Sequence, residues 1–160
     1  MDEFEDFYRA TKDRVYRTVL AAAGEHPQAE DAVAEAFARA LERWPRLSGH
    51  PNPAGWVMLT ALNHTRSWWR LRRREAPVED LRRLDESTAD PPDALTGAVR
   101  DAVRTLPRRQ REVVALRLVA DLSAEATGTL LGITAATVHV HLHRALQSLR
   151  ATVGEDREAV

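Results

Sequence analysis

The chain has 160 residues, 44% of them hydrophobic, and its 23 basic and 24 acidic residues leave a net charge of −1. That length accommodates one domain or two small ones with a buried core, and the charge balance means that attraction to a polyanion must come from local clusters. No long apolar run reads as a membrane span and no leader pattern is evident, so a soluble, cytoplasmic chain without membrane insertion is expected; the absence of cysteine excludes disulfides and thiolate metal sites.

Phe4, Phe7, Thr11, Val15 and Val19 mark one face of a first helix, which Gly24 and the His26-Pro27 pair should end. A second helix is expected from about Ala29 to Trp44, burying Val33, Ala36, Phe37, Ala40, Leu41 and Trp44. Asp31 and Glu35 stand four apart on its other face, where like charges repel unless Glu35 pairs with Arg39 or the acids meet a basic partner. The stretch from Pro45 to Pro53 is rich in Pro and Gly and reads as a loop, after which Asn52 caps a third helix with Pro53 as its first residue. That helix runs through Trp56, Leu59 and Leu62 and ends in arginines, Arg66, Arg70, Arg72, Arg73 and Arg74, interleaved with Trp68 and Trp69. Guanidinium groups neutralise phosphates and indoles stack on unpaired bases, although at least one of two adjacent tryptophans on a helix must turn inward.

From Glu75 to Asp93 the composition becomes acidic and Pro-bearing and loses periodicity, which marks a flexible linker. The fold class expected is therefore all-α, with a helical domain over residues 1–74, a linker over 75–93, a second helical domain over 94–153 and a tail over 154–160. In the second domain Leu95, Val99, Val103 and Leu106 predict a helix stopped by Pro107. Val113 or Val114, Leu116 and Leu118 continue the apolar pattern. Ser123 is then an N-cap, Gly132 a left-handed C-cap, Ile133 a corner plug and Thr134 the cap of a last helix carrying Val138, Leu142, Ala145 or Leu146 and Leu149. Gly128 stands where two helices could cross closely. This is the pattern of a helix-turn-helix, whose second helix enters the DNA major groove. Residues 138–143 also alternate like a strand, but the helical spacing persists beyond Arg144 and favours a helix.

Taken together, the acidic helix with Asp31, Glu35 and Phe37 in DAVAEAFARAL, the Trp56 helix ending in arginines, and LPRRQREVVALRLVADLS before the turn resemble the extracytoplasmic-function sigma factors of bacterial RNA polymerase. The resemblance extends from about Phe4 to Leu149. It implies that Asp31, Glu35, Phe37, Arg39 and Arg43 meet the clamp helices of the polymerase β′ subunit, and that the β flap is a second contact on core polymerase. It further implies that Arg46, Ser48, His50 and Asn52 capture a flipped base of the −10 element, with Asn63 and Arg66 behind them and Trp68, Trp69, Arg70, Arg72, Arg73 and Arg74 adjoining. Thr134, Thr137, His139, Val140, His141, His143 and Arg144 are placed toward the −35 element. An anti-sigma factor is a further candidate partner.

The last helix departs from the family pattern. Where TVKSRLHRA is common, this chain has TVHVHLHRA, so His139, Val140 and His141 stand for Lys, Ser and Arg, and Ala126, Thr127 and Gly128 stand for the usual EIA. Arg144 alone remains permanently charged, which points to weaker or altered −35 recognition. The competing readings are a stand-alone helix-turn-helix regulator and a sigma-like interaction protein with reduced −35 recognition. No catalytic residue, cofactor or metal is expected: His139 and His143 could supply at most two ligands, and bond formation in this family belongs to the core enzyme.

Overall fold

A computed structural model describes residues 2–75 and 97–158, with the side chains of Trp69, residues 72–75 and residues 155–158 left undescribed. The expected linker thus lies almost wholly outside the described residues, as does Leu95. Helix α1 (Asp2–Ala23), α2 (His26–Glu42), α3 (Trp44–Leu47) and α4 (Pro53–Glu75) form the first unit. The second contains α5 (Gly97–Arg104), α6 (Arg108–Val114), a π turn (Ala115–Val119), α7 (Ala124–Leu131) and α8 (Ala135–Glu158). The all-α expectation holds, and residues 138–143 are helical despite their alternation.

In the first unit, Gly24 takes φ +81° and its N–H returns to the Leu20 carbonyl, ending α1 as expected. The next boundary differs from the expectation. Helix α2 starts at His26 rather than at about Ala29, because Pro27 sits in its first turn, where its missing N–H has no intrahelical acceptor to lose. For the same reason Pro45 starts the single turn α3 inside the stretch expected to be a loop, and α2 ends at Glu42 rather than Trp44. Leu41 is a second correction, because it is 46% exposed and belongs to the outer face of α2. Phe4, Phe7, Tyr8, Phe37 and Trp44 form an aromatic cluster at one end of the bundle, with Phe7 and Trp44 ring centroids 4.9 Å apart and Tyr8 edge-on to Phe37 at 4.9 Å. Such pairs contribute about 0.5–1.5 kcal/mol beyond the area they bury.

The helix-turn-helix of the second unit is built from its caps. Ser123 Oγ accepts the Ala126 N–H at 3.0 Å, Gly132 adopts φ +70°, and Thr134 Oγ1 accepts the Thr137 N–H at 3.1 Å. At Gly128 a β carbon would lie 2.6 Å from the Ile133 carbonyl oxygen, inside a backbone crossing that cannot easily yield. Gly128→Ala should therefore lower stability by about 1–3 kcal/mol in chemical denaturation followed by circular dichroism. An unchanged midpoint would mean that the crossing is looser than this.

Leu118 was expected to continue the buried stripe, yet it is 54% exposed. The π turn explains this. Its wider winding, with the Ala120 N–H reaching the Ala115 carbonyl at 2.9 Å, rotates the residues after Leu116 relative to an α-helical register. Val113 and Val114 are both buried, one in each of two clusters: Val114 joins Val103, Leu106 and Ala145, whereas Val113 joins the larger core.

That larger core crosses between the units. Val113, Ala115, Leu116, Ala120, Ala124, Leu131 and Val138 are buried in one cluster with Val15, Val19, Phe37, Met58 and Leu62. Polar contacts reinforce the junction: Arg14 donates through Nε and Nη2 to the Ala120 carbonyl at 3.2 and 2.6 Å, and Arg111 Nε donates to the Ala22 carbonyl at 2.7 Å.

Candidate nucleic-acid and polymerase interface

The N-terminal end of α4 is set by Asn52, whose Oδ1 accepts the Gly55 N–H at 2.9 Å, while the Asn52 N–H donates to His50 Nδ1 at 2.9 Å. This Asn-Pro start projects Trp56 across the gap to α2, where the Arg43 guanidinium lies over its ring, 5.9 Å from the centroid. Two clefts flank the indole. One, of about 480 Å³, is lined by Arg43, Arg46, Leu47, His50 and Trp56; the other, of about 270 Å³, by Arg39, Arg43, Trp56, Thr60, Asn63, His64 and Ser67. Both are of the order of size of sites that enclose small molecules. Their walls combine an aromatic face with arginines, a combination that can stack a base and hold the phosphate attached to it.

The structure brings Arg46, His50 and Asn63 to these clefts, with Ser48 exposed on the loop and Asn52 engaged in capping. Trp56, Thr60 and His64 share the walls but are not among the site residues expected from the sequence, where Trp56 marks only the helix. The spacing of Trp56 and Thr60 from the Asn52 cap was the available signal, since residues four apart share one face of a helix. Arg39 and Arg43 also line the smaller cleft, so they border the nucleic-acid candidates as well as the acidic face. Along α4, Arg70 is exposed and Trp68 is half-buried; the side chains of Trp69, Arg72, Arg73 and Arg74 lie outside the described residues. Arg66 points elsewhere. Its Nε and Nη2 donate to the Glu112 carboxylate on α6 at 2.8 and 2.6 Å, and its Nη1 donates to Asn63 Oδ1 at 2.8 Å. The Glu112 hydrogen bond raises the Arg66 pKa above the ordinary guanidinium value despite the opposing effect of burial.

On α2, Asp31 is exposed and Glu35 is 43% exposed in its side chain, with Arg39 Nε donating to Glu35 at 2.8 Å. Ala34, Ala38, Leu41 and Glu42 are exposed too, giving an acidic face interrupted by small and apolar groups. Phe37 does not belong to it. At 5% exposure, with its ring against Phe7 and Tyr8, it supports the helix from the core side and cannot itself touch a partner here.

On α8, His139, Val140, His143 and Arg144 are exposed on one face with Ala136, as the helical spacing requires. Thr134 and Thr137 are tied to each other, Oγ1 to Oγ1 at 2.9 Å, as part of the cap. His141 leaves the set, because it turns partly inward and its Nδ1 is buried without a hydrogen-bond partner among the described residues. Val138 is fully buried between these positions. Among the described residues no group of three or more metal-ligating side chains occurs, and no helix is long and apolar enough to cross a membrane.

Sigma-70 region 2 matches residues 7–75, and Sigma-70, region 4 matches residues 96–149. The chain is 34% identical to an RNA polymerase sigma-E factor of Streptomyces antibioticus over 92% of its own length and 83% of the relative's. It is 28% identical to the ECF RNA polymerase sigma factor SigW of Bacillus subtilis over 93% and 88%. Among solved structures, the sigma factor RpoE of Bartonella quintana in complex with the anti-sigma factor NepR has a similar fold, with a TM-score of 0.79 at 21% identity, covering 96% of this chain and 98% of that one. The chain therefore belongs to the extracytoplasmic-function branch of the sigma-70 family, the RNA polymerase sigma factors that direct promoter recognition and transcription initiation.

Proposed function

We propose that this sigma factor holds core polymerase through the acidic face of α2, takes an unpaired −10 base into the clefts around Trp56, and meets the −35 element with the exposed face of α8. The observation that carries the reading is the pair of clefts sharing Trp56 and Arg43 beside the Asn52-capped start of α4. An extruded base needs a surface to replace lost stacking, and its phosphate needs a cation; both are within reach there. The chain acts in the cytoplasm and has a regulatory role without a catalytic residue, bond formation belonging to the core enzyme. An anti-sigma factor is a candidate partner by analogy with the RpoE complex.

Retention of a single-stranded −10 oligonucleotide tests this reading. Core polymerase loaded with the chain should retain it, and core polymerase alone should not; equal retention would contradict the assignment.

The −35 contact should be weak, because the exposed residues of α8 from Ala136 to Arg144 include one permanent cation, Arg144, alongside His139, Val140 and His143. His139→Lys should strengthen binding of the holoenzyme to −35 duplex and steepen the salt dependence by about 0.9 in log–log slope, the effect of one further phosphate neutralised. Fluorescence anisotropy across a salt series measures both. An unaltered slope would indicate that His139 faces away from DNA.

A further inference from the structure

Glu112 is a buried carboxylate with three guanidinium groups around it: Arg66 from α4 at 2.6 Å, Arg109 at 3.2 Å and Arg108 at 3.6 Å. Arg108 and Arg109 are its neighbours on α6, one helical turn away. Arg66 comes from the other unit and is 17% exposed in its side chain. A buried carboxylate is tolerable only when fully compensated, so Glu112 ties the position of α6 to that of α4. The other bonds across the junction have a common form. Arg14 and Arg111 each donate to a main-chain carbonyl near the end of a helix or turn in the opposite unit, and the Arg104 guanidinium, desolvated at the junction, lies in the field of Glu25. Arginine supplies the cation in each of these contacts.

We infer that Glu112 is an internal anion that occupies Arg66 in place of promoter phosphate, so that the free chain holds its two units closed with no partner required. The clasp itself stands on geometry alone; its consequence for DNA rests on the reading of α4 as the −10 surface. Size makes the closed form incompatible with a promoter. The −10 and −35 elements lie about 25 base pairs apart, or about 85 Å at about 3.4 Å per pair, whereas a compact globule of 160 residues is only about 40 Å across. The exposed faces of α2 and α8 stay open in the closed form, so the clasp leaves the first polymerase contact available. Promoter phosphate then competes with Glu112 for the same guanidinium once the units part.

The absence of cysteine allows Ala10→Cys and Gln147→Cys, both at exposed positions in different units, to carry a donor and an acceptor dye on the full chain. High transfer efficiency is expected in the free protein. Glu112→Gln should leave three cations facing one another and lower the high-transfer population, and should raise affinity of the free chain for a single-stranded oligonucleotide about tenfold by releasing Arg66. Arg14→Leu, which removes a cross-junction donor outside the DNA candidates, should also lower transfer without that gain in affinity. A melting curve confirms that each variant is folded, and if Glu112→Gln does not fold, Arg14→Leu alone decides the clasp. Unchanged transfer in the folded variants would overturn the clasp; opening without a gain in DNA affinity for Glu112→Gln would overturn the competition. Run-off transcription with the unlabelled wild-type chain separates these results from failure of the sigma reading, because the transfer measurement needs neither polymerase nor promoter.

Discussion

Trp56→Ala should reduce promoter-dependent transcription by about 5- to 150-fold, the effect of losing about 1–3 kcal/mol of base stacking, while affinity for core polymerase stays the same. The indole forms a wall of both clefts and carries the Arg43 guanidinium on its face, so its removal merges the clefts and frees the cation that would hold the adjoining phosphate. Trp56 also packs partly against the core, and truncation will lower stability to some extent. Trp56→Phe separates the two effects. A smaller aromatic plane should restore a good part of the activity if stacking is the cause, whereas a purely structural role would leave melting temperature and activity falling together. Single-round transcription alongside a thermal melt of both variants provides the comparison, and full activity of Trp56→Ala would remove the clefts from the −10 assignment.

Reversing the acidic face of α2 should have an effect of similar size on a different step. Asp31→Lys with Glu35→Lys replaces two outward carboxylates by ammonium groups, so a surface that attracts a basic partner comes to repel it. The fold should tolerate this, since Asp31 is exposed and the Glu35–Arg39 pair is a partly exposed contact one helical turn apart, of the kind that contributes little to stability. Affinity for core polymerase, titrated with a fluorescently labelled chain, should fall at least about tenfold at low ionic strength, with a smaller loss at high salt. Undiminished affinity with preserved helicity would exclude α2 as the docking helix.

What the sequence made legible was mostly local. Asn52, Ser123, Gly132 and Thr134 act on backbone groups within four residues of themselves, so their capping roles could be read from residue type and position, and all four caps are present. Gly128 was legible for a related reason, as a small residue one turn before a forced corner. Pro27 and Pro45 misled because proline both ends a helix and starts one, and only the surrounding packing decides between the two. The π turn escaped notice because no short pattern specifies it, and with it went the orientation of Leu118. Least legible was the junction between the units. Glu112 looked like one more charge in RRQREVV, and Arg66 like one more arginine in a basic helix end; they are 46 residues apart in the chain, and periodicity carries no information at that range. His141 shows the same limit on a smaller scale, since the family pattern aligned it with an arginine while helical geometry turned it toward the body of the unit.

Promoter selection by this chain is measured most directly by transcription with core polymerase, with and without the chain, on linear templates whose −10 and −35 elements are randomised, the transcripts being sequenced to recover the elements that were used. Promoter selection by this chain requires chain-dependent start sites with a sharply selected −10 element, a less strongly selected −35 element in keeping with the sparsely charged face of α8, and loss of the −10 selection in Trp56→Ala. Templates transcribed equally with and without the chain, although the chain binds core polymerase, would contradict it.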